Sequence, residues 1–356
     1  MTGDVNAPGL TVLAKTRGRA LHLGCDNAVY ACIRQAIFRS TDDGRSWQFV
    51  TRIPPRGLRG LLGTTRLGAR LARHEIRACG RLRDGGLVAC NREGVFFSRP
   101  NEPLMSPSRV PVGNQPLSPP MCIHVGPEDQ VIWGEYDPRD AHGKPVRVYV
   151  SKDCGRTFEV AYVFDAGTVR HVHNFLFDRR LEKYWILVGD VNHEPGIGLL
   201  AQDFSGIEWI GRGEQKYRAV EVFDLGDRLV YGTDSEFEAN RIVSLDKSTG
   251  KITEVRPIEG SCIYACRFGK NYAISTTVEP SRVNSSREAA LYLSVDCDHW
   301  ERVFTAEKDR WHPVLFQFGS MVLPRGASQS DTIIFSGQAL RGIDNWVITA
   351  EWSGNI

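Results

Sequence analysis

Along most of the chain apolar and polar positions alternate with a period of two, in runs of roughly 4–8 residues broken by Gly, Asp, Asn and Pro. A sustained 3.6-residue period is nearly absent, so the pattern predicts strands and tight turns. Hairpins stand out as paired apolar runs around a short polar turn. They include "ALHLGCDNAVYACI", "EIRACGRLRDGGLVAC", "CIHVGPEDQVIWGEY", "FLFDRRLEKYWILVGD", "AVEVFDLGDRLVYGTD", "IYACRFGKNYAISTT" and "VLFQFGSMVLPRGASQSDTIIFSG". They recur about every 50 residues, each followed by a longer connection and a second, outer hairpin.

Seven such units predict an all-β chain, a β-propeller of seven four-stranded blades in one domain over residues 10–356, with 1–9 as an N-terminal extension; the poorly marked outer hairpin of the second unit leaves six or eight blades open. The seventh unit ends at "NWVITAEW" and lacks its fourth strand, which "LTVLAKT", Leu10 to Thr16, can supply. Pairing the two termini in this way removes open sheet edges.

Three outer turns share a spacing: "STDDGRSW" from Ser40, "SKDCGRTF" from Ser151 and the looser "SVDCDHW" from Ser294. The pattern S-x-D-x-G-x-[ST]-[WF] resembles the Asp-box, or BNR repeat, of the sialidase-like propellers. The resemblance places it between the third and fourth strands of a blade. There Asp42 and Asp153 accept backbone N–H bonds, Gly44 and Gly155 take positive φ, and Trp47 and Phe158 pack between blades. These aspartates are therefore read as structural. "TRIPP" at Arg52 is similar to a sialidase arginine motif but trails the box instead of preceding it, so no substrate role is carried over to Arg52.

Lys and Arg number 44 against 42 Asp and Glu, a net charge of +2, which gives no electrostatic reason to expect nucleic acid or a membrane surface. No apolar run approaches the roughly 20 residues needed to cross a bilayer. "MTGDVNAPGL" lacks the basic start and apolar centre of a secretory leader, and nine cysteines without CxxC spacing read as free thiols, so the expected compartment is the cytoplasm. An exported form with its leader removed fits the same residues. The segment Arg56 to Arg83 holds eight arginines against one acid, Glu75, and predicts either a solvated connector or an electropositive rim that draws in an anionic substrate.

Strand order puts the Asp-box turns on one side of each blade, with the approaches to first strands and the second-to-third connections on the other. Those second positions carry ionisable residues in phase with the repeat: Glu135, Tyr136, Asp190, His193, Asp234 and Glu279 after second strands, and Arg170, His171, His173, Gln215, Arg218, Arg310 and His312 before first strands. Convergent carboxylates, imidazoles and guanidiniums suit a polar ligand or acid–base chemistry. Glu135, Tyr136, His171, His173, Asp190 and Asp234 are the candidate catalytic groups; the others are candidates for binding substrate. A channel lined by satisfied histidines is the plainer alternative for His171 and His173. The pair also suits a divalent cation, although no ligand spacing here is diagnostic of one.

The expected function is a carbohydrate-active enzyme on an acidic glycan. A hydrolase would use two of Glu135, Asp190, Asp234 and Glu279. A lyase would use His171 or Tyr136 as base, with Arg218 or a bound cation neutralising the uronate. The alternative is a non-catalytic propeller that binds a glycan or a protein. The sequence leaves the oligomeric state open.

Overall fold

Antiparallel meanders of four strands account for most of the described chain in this computed structural model, which describes residues 9–24, 26–111, 120–136 and 143–354. Where the sequence suggests one domain, the chain contacts group into two compact units. One comprises residues up to 75, 222–244 and from 253 onward; the other comprises 76–221 and 245–252.

The second unit holds three meanders. They are Ala78–Arg81, Leu87–Asn91, Gly94–Ser98 and Ser106–Pro107; His124–Val125, Val131–Gly134, Val146–Ser151 and Glu159–Phe164; and Val172–Asp178, Lys183–Val188, Gly196–Leu200 and Ile207–Arg212. Central strands are apolar on both faces. Tyr184, Trp185, Ile186, Leu187 and Val188 are all buried in succession, as strands packed on two sides require. Trp133 stacks on Tyr149 with ring centroids 4.3 Å apart and meets the edge of Phe158 at 5.8 Å. Such aromatic pairs add about 0.5–1.5 kcal/mol beyond their buried area.

The first unit holds Arg19–Leu23, Val29–Ile33, Ala36–Ser40 and Gln48–Arg52 in one meander, and Ser261–Phe268, Asn271–Val278, Glu288–Ser294 and Glu301–Glu307 in another. A third runs through Phe223–Asp224, Arg228–Gly232, Arg241–Asp246 and Ile252–Pro257, apart from the hairpin tip 245–252. The last chain segment supplies Gly319–Val322, Thr332–Gln338 and Trp346–Trp352, and the outer partner of Trp346–Trp352 is Leu10–Arg17. The sequence expectation that the two ends of the chain pair is met, from Leu10 opposite Trp352 to Arg17 opposite Trp346.

The final hairpin differs from its sequence pattern. Its leading "VLF" falls in a short helix, Pro313–Phe316, and Arg325–Ser328 departs from the meander to run parallel to both Arg19–Leu23 and Ser261–Phe268. Together with the pairing of Val278 and Gly319, this joins the first, second and terminal meanders into one sheet, while Phe223–Pro257 stays a separate one.

The three recurring turns are built alike. Asp42 accepts from the Ser46 amide at 2.9 Å, the Ser46 hydroxyl at 2.6 Å and the Ser40 hydroxyl at 2.7 Å. Asp153 takes the same bonds from Thr157 and Ser151 at 2.7–2.8 Å. Asp296 accepts from the amides of Asp298 and His299 at 2.8 Å and pairs with the His299 ring. Gly44 and Gly155 have φ of +81°, and a Cβ on Gly155 would come within 2.5 Å of Val88. Each turn carboxylate is consumed by its own loop, so the structural reading of these residues holds.

Candidate functional site

Ends of strands place the ionisable residues of the second unit. Val131 pairs with Ser151 and Gly134 with Val148, so the Asp153 turn and Tyr136 lie at opposite ends of one sheet. Tyr136 then forms a β-bridge to His171, which puts His171 at the Tyr136 end. In this unit the Asp153 turn thus lies at one end of its sheet and Tyr136 with the bridged His171 at the other.

Local backbone geometry aims the side chains. Val172 pairs with Val188 but Asn174 with Leu187, leaving His173 as the extra residue of a β-bulge. A bulge bends the strand and redirects one side chain. The same one-residue shift follows Ala20 and Cys262 in the corresponding strands of the first unit. Asp190 follows Gly189, whose φ is +76° and whose Cβ, if present, would lie 2.4 Å from the Glu194 backbone. Only glycine fits there, and the sharp turn swings Asp190 toward the histidines. The 3₁₀ turn Gln215–Tyr217 then delivers Arg218.

The result is a buried charge cluster. His171, His173 and Arg218 are 1%, 2% and 6% exposed. His171 Nε2 lies 2.7 Å from Asp190 Oδ2, and His173 Nε2 lies 2.9 Å from Oδ1. Arg218 Nε is 3.1 Å from Oδ1. The Asp190 backbone carbonyl accepts from Gln215 Nε2 at 2.8 Å and from Arg218 Nη1 at 3.3 Å. His173 Nδ1 faces the Ala219 carbonyl at 2.8 Å. The ring of Tyr136, half-buried, lies 4.2 Å from that of His171, and the Arg77 guanidinium sits over the Tyr136 ring, 4.6 Å from its centroid.

Electrostatics follow from this packing. Burial pulls the His171 imidazole below its ordinary value more strongly than Asp190 raises it. Burial pushes the other way on Asp190, but His171 and Arg218 outweigh it and hold the carboxyl well below the usual range. The Asp190 carboxyl therefore favours its ionised form in this setting.

Other candidates are placed differently. Glu135 adjoins the cluster in sequence, yet its carboxylate accepts from the Arg147 amide at 2.9 Å and the Tyr149 hydroxyl at 3.0 Å, closing the end of its own sheet. Arg170 is half-buried and His193 is exposed. Asp234, Glu279, Arg310 and His312 belong to the first unit. There Asp234 is buried, Glu279 is half-buried, Arg310 lies over the Trp311 ring, and His312 opens the helix Pro313–Phe316.

The arginine-rich segment forms two short helices, Gly57–Leu62 and Arg66–Ala72, and three of its arginines are tied to the protein itself. Arg66 bridges Glu75 at 2.7 Å and Asp344 at 2.6 Å; Arg70 takes Asp309 at 2.7 Å and the Phe316 carbonyl at 3.0 Å; Arg73 takes the Pro313 carbonyl at 3.2 Å. Sequence reasoning also passed over Arg77, Glu194 and the Ala219 carbonyl. Arg77 was hidden among its neighbouring arginines, and a backbone carbonyl leaves no sequence signal.

No family model matches the chain, and no curated protein matches it. Solved structures do. A YCF48 protein from Cyanidioschyzon merolae has a TM-score of 0.55 at 9% identity, over 96% of this chain and 99% of that one. An ancestral GH74 enzyme has a TM-score of 0.52 at 12% identity, over 96% of this chain and 46% of its own. The extracellular domain of a one-component system from B. thetaiotaomicron gives 0.52 at 11% identity, over 96% and 38%. The chain thus spans less than half the length of the last two. These neighbours are β-propeller proteins, and the likeness extends to the fold: this chain is all-β and propeller-like.

Proposed function

We propose that the chain is a seven-bladed propeller of the Asp-box kind that cleaves an acidic glycan by β-elimination at the His171–His173–Asp190–Arg218 cluster, with Tyr136 as the proton-transferring group. The observation that carries this reading is the placement of a half-buried phenol against the buried His171 ring, itself paired with the half-buried Asp190 carboxylate. In β-elimination a base removes the proton α to the uronate carboxylate, the C–O bond to the leaving sugar breaks, and a C=C bond forms. The leaving oxygen takes up a proton. The barrier falls when a cation neutralises the carboxylate, since that stabilises the carbanionic transition state. Tyr136 Oη is the reachable group for the proton transfers, because His171 is 1% exposed. Arg170, half-buried and next to His171 in the chain, is the candidate cation, since Arg218 is buried against Asp190.

Hydrolysis is less well supported. It needs one carboxyl that stays protonated and a second that is free to act as nucleophile or base. In the second unit Asp190 is held ionised by His171 and Arg218, and Glu135 is committed to Arg147 and Tyr149. Likeness to GH74 enzymes adds a carbohydrate connection at 12% identity.

Incubation with a panel of uronate-containing oligosaccharides, followed by mass spectrometry of the products, tests the proposal. Elimination yields a fragment lighter by one water than the hydrolytic fragment. Products that have all gained water would assign hydrolysis instead, and saturable binding without any product would favour the glycan-binding reading.

A further inference from the structure

Three ligand atoms on His171, His173 and Asp190 converge in a largely buried place. His173 Nδ1 faces the Ala219 carbonyl at 2.8 Å, an atom that can only accept, so Nδ1 carries a proton and Nε2 is turned to Asp190 Oδ1, 2.9 Å away. His171 meets the other oxygen of the same carboxylate. Its Nε2 is 2.7 Å from Asp190 Oδ2, yet the pair is not aligned as an N–H···O hydrogen bond. Close approach with poor donor–acceptor alignment is how neighbouring ligands of one ion meet, since each aims at the ion and not at the other.

We propose that His171 Nε2, His173 Nε2 and the Asp190 carboxylate bind a divalent transition-metal ion. These three ligand atoms lie within 4.8 Å of one another. Two imidazoles and one carboxylate suit zinc, manganese or iron(II), and three protein ligands leave open positions for water or substrate. The surroundings support the ligands as a metal site requires. The Ala219 carbonyl holds His173 with Nδ1 outward and Nε2 inward, and the Arg218 guanidinium sets its positive charge beside the carboxylate, Nε 3.1 Å from Oδ1. Gln215 and Arg218 also hold the Asp190 backbone. Binding the ion stands on these donors alone. Its use, as the charge that neutralises the substrate carboxylate, rests on the elimination reading.

The test strips the full-length protein with a chelator and then titrates it with Co²⁺ and Zn²⁺ by calorimetry, visible absorption and thermal melting, all without glycan. The expected result is one equivalent of tight binding, Co²⁺ ligand-field bands and a higher melting temperature. His171→Asn and Asp190→Asn should each weaken binding by more than the roughly 10–100-fold typical of an outer-shell change. Asp42→Asn, in a turn at a distance along the chain, should leave affinity within about twofold. Wild-type protein that binds no ion, or variants that bind as tightly as wild type, would overturn the site. Should the cluster variants fail to fold, two exchangeable, paramagnetically shifted imidazole N–H resonances in the Co²⁺ wild-type protein sustain it, and their absence overturns it. Tight binding without turnover on any acidic glycan would uphold the site and sink the elimination reading. Turnover by metal-free protein, unchanged on adding metal, would uphold elimination and remove the ion from it.

Discussion

Tyr136 and His171 meet twice: their backbones form a β-bridge, and their rings lie 4.2 Å apart. The bridge ties the end of one meander to the start of the next, so the phenol cannot drift from the cluster without breaking backbone pairing. Tyr136→Phe keeps the ring contact and removes only the hydroxyl. Turnover of an acidic glycan should fall by roughly 10²–10⁴-fold with little change in melting temperature. Steady-state kinetics beside a thermal melt would check this, and full turnover in the variant would remove Tyr136 from the chemistry.

Space and backbone angle together dictate the glycine of each recurring turn. At Gly155 φ is +81° and an added Cβ would meet Val88 at 2.5 Å. Gly155→Ala should cost about 1–3 kcal/mol in chemical denaturation. Gly206 has open space around its absent side chain, so Gly206→Ala should stay within about 0.5 kcal/mol of wild type.

Acid should loosen those same turns. Hydrogen bonds from the Ser46 side chain and amide, and from Ser40, lower Asp42 to about 2. Asp153 is lowered too, although burial opposes the bonds from Thr157 and Ser151. A carboxyl whose folded value lies below its unfolded value, about 3.9, contributes stability above that pH and loses it as the pH falls through the folded value. Between about pH 4 and pH 2 the melting temperature of wild type should fall more steeply than that of an Asp42→Asn, Asp153→Asn double variant. Parallel curves would contradict the assignment.

Thiol chemistry reports on the sheets. Burial pushes Cys32 up to about 11 and Cys297 up to about 12. Both should resist alkylation of the native protein at pH 8 and react fully once it is denatured, whereas the half-buried Cys154 should label first among these three. Peptide mapping by mass spectrometry after timed iodoacetamide treatment separates the sites.

Much of the fold was legible because its signals are local. Period-two runs marked the strands, and the spacing of Ser, Asp and Gly marked turns whose hydrogen bonds stay within a few residues. Pairing of Leu10–Arg17 with Trp346–Trp352 was readable as a missing strand and a spare one. The candidate site was legible in part. Phase with the repeat brought out Tyr136, His171, His173, Asp190, Gln215 and Arg218, which the fold gathers. It could not find the bulge at His173, which depends on register against Val188 and Leu187, nor the Ala219 carbonyl. The pairing of the arginine segment was hidden for a related reason: beside nearby Glu75, Arg66 meets Asp344, 278 residues away.

Carboxylate dependence of glycan cleavage tests the central claim most directly. A uronate-containing oligosaccharide and the same compound with its carboxylates reduced to alcohols are compared by continuous ultraviolet absorbance, which follows the unsaturated product. The account predicts steady growth of absorbance with the acid form and none with the reduced form. Equal cleavage of both, or cleavage of the acid form without any rise in absorbance, would contradict it.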